Sequence, residues 1–395
     1  MAEIAVVGTE RELSASLDTA NERGGAGSRF YRPELDVLRF FAFLMVFFSH
    51  VWPPRATAIV TRLGVPSSVI RGFINAGALG VFVFFMLSSY LITELLVREK
   101  EKTGTIHIKA YYVRRTLRIW PLYFLFLGMA VVVGLVVPFF RLPGKEVAMM
   151  LLLSGNWYFA QHGWVISFVN HLWSISVEEQ FYLVWPLFLK LGGRRTLRAG
   201  CVALIAMSFA SMFFLAHRGS LANPAIFVNS FALCCFFALG GMMALWVHGR
   251  VPTLALSIRG VLVGFGVLLF TVAAAVCRIH DMAVISAGRV MAGYLLTCIG
   301  CLLVFFAFLG AKVPRWGSVL VYLGKISYGL YVFHLLCLIM MGWFEKNVLH
   351  HEHWPLSFPF TFLLTVLCAG LSYRFVESPF LKFKDRFAFI QSRRV

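Results

Sequence analysis

The sequence predicts an all-α fold: a polytopic integral membrane bundle of about ten transmembrane helices with both termini cytoplasmic. Three observations carry that prediction. Of 395 residues, 59% are hydrophobic, and mean hydropathy is +0.80; a soluble domain of this size would keep too little polar surface to face water. Apolar runs long enough to cross hydrocarbon recur along the whole chain. Lys and Arg alternate between dense and sparse in successive connections, as the positive-inside rule requires.

The runs fall at residues 37–53, 76–97, 119–140, 172–191, 199–216, 226–247, 258–277, 290–310, 318–341 and 358–381. The fourth is the weakest, because it carries Glu178 and Glu179. Segment 147–160 is apolar but short, so it reads as re-entrant or interfacial. Residues 1–30 are polar, include Gly24-Gly25-Ala26-Gly27 and lack an apolar h-region. They read as a disordered cytoplasmic tail and not as a cleavable signal peptide. Residues 31–382 form the transmembrane domain, and 383–395 a basic cytoplasmic tail. No internal repeat is visible, which weakens an inverted-repeat transporter reading.

Orientation follows from the basic residues. The dense connections hold Arg11, Arg23, Arg29 and Arg32; Arg98 through Arg118; Lys190, Arg194, Arg195 and Arg198; and Lys382 through Arg394. The alternate ones hold only Arg55, Arg62 and Arg71, then Arg141 and Lys145, then Arg218. Both ends on one side require an even number of spans. The net charge of +18 could point to nucleic acid. Because the basic residues cluster between apolar runs, membrane lipid and an anionic ligand are the expected partners, with no nucleic acid.

Four groups could do chemistry. In the first run, Arg39 and His50 are separated by ten residues. On a helix they share one face and lie roughly 16 Å apart along the axis. Ionisable groups in hydrocarbon cost at least a few kcal/mol each, which suggests function. The alternative is that Arg39 pairs with Asp36 while His50 sits in the opposite interface. The second group is Arg114, Arg115 and Arg118, whose spacing gathers guanidiniums on one side of a helix. Arg forks bind phosphate bidentately, so the run reads as a dock for a nucleotide-type metabolite or as an anchor on anionic lipid. In the third, His171, Ser174, Glu178 and Tyr182 form one polar stripe. Glu178 is expected in the bundle interior, and Glu179, about 100° away, in a pair with an Arg or Lys; a structural role for both is the alternative. The fourth places Ser327, Tyr331 and His334 along one face, His334 being either functional or a hydrogen-bonded core residue. Arg374 and Glu377 read as an ion pair at i,i+3.

Other features read as structure. His350-His351-Glu352-His353 lacks helical spacing and is taken as a polar loop, so no metal is expected. All eight Cys lie in or beside apolar runs, and Cys298-x-x-Cys301 reads as small packing residues. Trp157, Trp164 and Trp173 flank one outer loop, as belt anchors or a sugar-stacking surface. No Walker, GxSxG or strand-linked GxGxxG motif is present. Any chemistry must occur within the bundle.

Together these blocks resemble the membrane acyltransferase-3 family over nearly the whole chain after residue 30. Arg39 through His50 is similar to its R/K-x10-H signature, and Arg115-Thr-Leu-Arg118 to its RxxR signature. Trp173 through Pro186, Ser327 through His334, and Tyr373 through Glu377 match later blocks. A C-terminal SGNH hydrolase-like domain, which some members carry, is not in this sequence, so the chain is expected to act alone or with a separate partner. The resemblance implies a bacterial multi-pass inner-membrane enzyme. It would move an acyl group, acetyl above all, from acyl-CoA to a hydroxyl of a cell-surface or exported carbohydrate or related small molecule. In that reading Arg39, Arg115, Arg118 and Arg114 hold CoA. His50 is the general base, with a covalent acyl-imidazole as a variant, and Glu178 orients or stabilises the imidazole. Glu179, Ser327, Tyr331 and His334 are further candidates. The competing class is a transporter or flippase of acyl groups or glycans without bond formation; a sensor that has lost catalysis is a third reading.

Overall fold

The computed structural model of the chain describes residues 30–164, 167–217, 223–280, 285–350 and 354–390. The tail predicted over residues 1–30, apart from Phe30, and the loop residues His351 to His353 lie outside the described residues. Every described element is helical, and no strand occurs among the described residues.

Helix α1, Pro33–Val51, opens with Pro in its first turn followed by Glu34 and Asp36. A fixed φ suits that position, and acidic groups complement the N-terminal dipole. Pro53 and Pro54 stop it, since neither can continue the ladder. The next helix, α2 (Pro54–Arg62), turns off by 88°. Then come α3 (Ser67–Ala78) and α4 (Gly80–Thr103), which ends at left-handed Gly104, φ 76°. Helix α5 spans Ile108–Val136, so the basic run lies on the helix itself and not in the preceding loop. Two short helices, α6 (Gly144–Leu151) and α7 (Gly155–His162), occupy the segment read as re-entrant or interfacial. Next are α8 (Trp173–Leu191), α9 (Arg194–His217), α10 (Asn223–Phe227) and α11 (Ser230–Val247). Asn229 caps α11 by accepting the Phe231 and Ala232 N–H groups at 2.9 and 3.2 Å. The chain continues through α12 (Leu256–Ala275), α13 (Ala287–Phe308), α14 (Ser318–Lys325), α15 (Ser327–Phe344), α16 (Trp354–Ser372) and, after a π-helical turn at Tyr373–Glu377, α17 (Ser378–Lys384).

Among the described residues, eight helices are long and apolar enough to cross a membrane, or nine if α1 and α2 form one bent span. The remaining member of the expected set is α8. Its 19 residues would suffice, but Glu178, Glu179 and Lys190 lower its apolarity. Side chains such as Leu125, Val132, Leu183, Val184, Phe265, Leu268, Leu363 and Leu367 stay exposed. So much apolar surface needs lipid as its solvent.

The site is positioned by close packing around α1. A Cβ at Gly80 would lie 2.5 Å from the Ala42 carbonyl oxygen, and one at Gly324 would overlap the Asp36 carbonyl. Backbone therefore meets backbone on both sides of α1, a contact only glycine permits. On the far side of α4, Phe82 stacks on Phe236 at 4.3 Å and Phe237 lies between Phe85 and Phe181 at 4.8 and 4.4 Å. These rings lock α4, α8 and α11 together.

Glu146 on α6 is fully buried, and neither carboxylate oxygen has a hydrogen-bond partner. Burial pushes its carboxyl up to about 7. The folded protein thus holds a proton that the unfolded chain has already lost, and stability falls as pH rises from the ordinary carboxyl range through 7. Glu146→Gln should leave the melting temperature unchanged at pH 5 and raise it at pH 8, by up to about 3 kcal/mol in stability. A difference that is the same at both pH values would contradict this.

Candidate active site

Three cavities lie in series. The first, about 130 Å³, is lined by Tyr31, Asp36, Arg39, Ser88, Arg114, Arg115, Arg118 and Lys384, among others. The second, about 100 Å³, is lined by Arg39, Ser88, Arg115, Arg118, Ser174, Glu178, Tyr182, Ser327 and Tyr331. The third, about 980 Å³, is lined by His50, Arg71, Trp164, His171, Trp173 and Arg278 with their neighbours. Arg39, Ser88, Arg115 and Arg118 are common to the first two, and Val81 and Tyr331 to the last two. Helix α1 runs unbroken from Arg39 to His50, so it links the arginine end to the histidine end across roughly 16 Å.

At the arginine end, Arg39 Nη1 donates to Asp36 Oδ1 at 3.0 Å, and Tyr31 donates to the other carboxylate oxygen at 3.0 Å. The pairing weighed for Arg39 is therefore made, and the guanidinium still lines both cavities. Arg114 donates to Glu99 Oε2 at 2.8 Å and to the Phe387 carbonyl at 2.5 Å. Its charge is balanced, and it reaches only the first cavity. The Arg115 guanidinium lies 4.6 Å from the Tyr182 ring centroid, a cation–π contact. The spacing of Arg115 and Arg118 on α5 turns both toward the shared wall.

The stripe on α8 forms as its spacing predicts. Tyr182 donates to Glu178 Oε2 at 2.9 Å and shares a hydrogen bond with Ser88. One turn up, the Ser174 and Tyr331 hydroxyls lie 2.7 Å apart and reach the His171 carbonyl at 3.1 and 3.0 Å. Ser327 is buried beside them.

At the histidine end, three imidazoles meet. The His334 ring centroid lies 5.2 Å from that of His50 and 5.0 Å from that of His171. Each ring has one nitrogen on a backbone carbonyl: His50 Nδ1 on Val46 at 2.9 Å, His171 Nε2 on Val332 at 3.0 Å, His334 Nδ1 on Tyr331 at 2.6 Å. A carbonyl only accepts, so that nitrogen carries the proton and the other carries a lone pair. His171 Nδ1 and His334 Nε2 have no partner. His50 is exposed into the third cavity.

Several expectations need correction. Glu178 does not hydrogen-bond His50; its partner is Tyr182, and it faces the second cavity while His50 faces the third. Glu179 accepts from Trp120 Nε1 at 3.0 Å and pairs with no Arg or Lys, because its face of α8 points toward α5. The Arg374–Glu377 pair does not form. The π-helical turn rotates i,i+3 off a common face, and Arg374 lies over Phe375 at 5.4 Å while Ser372 donates to Glu377. Trp164 and Trp173 line the third cavity, whereas Trp157 donates to Gln180. Among the described residues no group of His, Cys, Asp or Glu could hold a metal. Sequence reasoning missed His171 as the neighbour of His334. Its place at the head of the α8 stripe was the available signal.

Comparison with known proteins identifies the family. A family model described as an acyltransferase domain (Acyl_transf_3) matches residues 32–374. A Staphylococcus aureus (strain MSSA476) protein named "Putative O-acetyltransferase SAS0844" is 28% identical over 373 residues, covering 89% of this chain and 58% of its own. The O-acetyltransferase OatA of Staphylococcus aureus (strain NCTC 8325 / PS 47) is 25% identical over 388 residues, covering 92% of this chain and 60% of its own. The chain thus spans under two thirds of the length of either relative. No solved structure matches it. With the family's domain extending over almost the whole helical bundle, from the foot of α1 to the end of α16, this chain belongs to the acyltransferase-3 family.

Proposed function

We propose that the chain is a multi-pass inner-membrane O-acyltransferase. It takes an acyl group, acetyl in the first instance, from cytoplasmic acyl-CoA and places it on a hydroxyl of a carbohydrate or related acceptor at the opposite face. Both termini and the arginine end are cytoplasmic in this reading, as the distribution of Lys and Arg supports. The observation that carries it is the series of three cavities with shared walls.

CoA phosphates dock on Arg115 and Arg118, with Arg39 at the mouth and Arg114 held back by Glu99. The pantetheine arm passes through the second cavity, which shares Arg39, Ser88, Arg115 and Arg118 with the first. The thioester comes to Tyr331, with the acceptor in the large third cavity. His50 Nε2 removes the acceptor hydroxyl proton as the oxygen attacks the thioester carbonyl carbon. The C–S bond breaks, the CoA sulfur leaves with the electron pair, and the proton on His50 returns to it. His334 and His171, each with an open lone pair beside His50, steady the transient imidazolium. Glu178 and Tyr182 line the arm's path and set Arg115.

Purified protein in proteoliposomes, given acetyl-CoA outside and surface-glycan oligosaccharide inside, tests this. Free CoA and O-acetyl ester should appear in equal amounts, read by thiol assay and mass spectrometry. Accumulation of unmodified acceptor or intact acyl-CoA across the membrane, with no ester, would establish a transporter instead.

A further inference from the structure

The residues after α17 fold back onto the rim of the first cavity. We infer that this segment, Asp385–Ile390, is a strap that swings aside to admit acyl-CoA and closes again behind it. This rests on the reading that acyl-CoA enters through that cavity.

A single 3-10 turn at Asp385–Phe387 ends the helical structure, and Ala388 is extended, with φ −93° and ψ 115°. From there the chain crosses from α5 to the last turn of α4. On α5, Arg114 donates to the Phe387 carbonyl at 2.5 Å. On α4, Lys102 Nζ donates to the Phe389 carbonyl at 3.2 Å. Between these ties the Phe389 ring stacks on His107, in the α4–α5 connection, with centroids 4.0 Å apart and planes 16° apart. Side chains alternate along an extended segment. Phe389 accordingly serves as the anchor, while Ala388 and Ile390 on either side of it line the cavity with Arg39, Arg115 and Arg118.

The two ends of the strap are held unequally. Arg114 is itself fixed by Glu99 at 2.8 Å, so the Phe387 end is the hinge. The Phe389 end depends on an exposed lysine bond and one ring stack, and residues 387–390 are only half-buried. A segment tied in this way opens far more readily than helices packed in the bundle. Its lysine tie is also sensitive to what enters. Lys102 donates to a neutral carbonyl, and a phosphate is the stronger acceptor. An arriving CoA phosphate draws Lys102 off Phe389 and loosens the strap. Closure afterwards keeps bulk water from the thioester until transfer.

The whole protein in phosphatidylcholine nanodiscs gives two tests. The first needs no acyl-CoA. Leu95→Cys puts a thiol in the cavity lining, and its reaction with a bulky anionic maleimide is followed by peptide mass spectrometry. Adding Lys102→Ala and Phe389→Ala should raise the labelling rate at least about fivefold; an unchanged rate overturns the inference. The second joins His107→Cys to Phe389→Cys with a reversible bis-thiosulfonate. The link should slow acetyl-CoA association at least about tenfold, and reductant should restore it, with the single-cysteine variants unaffected by the reagent. A link whose formation is shown by mass, and which leaves association unchanged, also overturns the inference. In the Lys102→Ala, Phe389→Ala variant, association and dissociation should both quicken several-fold while Kd stays within about threefold. A lowered melting temperature with both rates unchanged would make the segment a brace and overturn the strap. If labelling responds as expected but acetyl-CoA neither binds nor protects the introduced thiol, the acyl-CoA reading fails and the strap stands. If acetyl-CoA binds at rates indifferent to the link, only the strap fails.

Discussion

His50→Ala should lower acyl transfer by at least about 10²-fold, the usual contribution of a positioned general base. Acyl-CoA binding should stay within twofold, because the ring lies in the third cavity and the proposed function puts CoA in the first two. The expectation follows from one hydrogen bond. With Nδ1–H on the Val46 carbonyl at 2.9 Å, only Nε2 is left to take a proton, and it faces the open cavity. His171 and His334, the imidazoles grouped with it, are buried. A kcat within tenfold of the parent would remove His50 from the chemistry. Comparing product ester with free CoA in the same assay separates lost transfer from diversion to hydrolysis.

Replacing Arg115 and Arg118 together with Ala should raise the KM for acyl-CoA by roughly 10²-fold, since each hydrogen bond to a charged group contributes about 1.5–3 kcal/mol. The KM for the acceptor should not move. Because Arg115 also stacks on Tyr182, Arg115→Lys is the sharper probe. It keeps the charge and loses the planar fork, so an intermediate KM is expected. Arg114→Ala should act differently, lowering stability by freeing the buried Glu99 carboxylate while shifting KM little. A KM unchanged in the double variant would place CoA elsewhere.

Much of this arrangement was legible in the sequence. Arg39 and His50 stand out because charge inside an apolar run is expensive, and helical rise alone sets their separation. The α8 stripe and the α5 arginines follow from angular spacing, and the structure brings Arg39, Arg115, Glu178, Ser327 and Tyr331 onto one cavity. What could not be read were contacts between helices. Nothing in residue order says that His171 meets His334, or that Glu178 and His50 line different cavities. The Arg374–Glu377 expectation failed through local geometry, a widened turn that a fixed 3.6-residue period cannot represent.

Tyr331 and Val81, the wall between the second and third cavities, have a bioenergetic consequence. A cell that stores energy as a proton gradient cannot tolerate a standing water file through its membrane. Here an aromatic ring lines both cavities, and its hydroxyl is already tied to Ser174 and the His171 carbonyl. Under the proposed function, acyl groups would cross such a junction one at a time while the membrane stays charged.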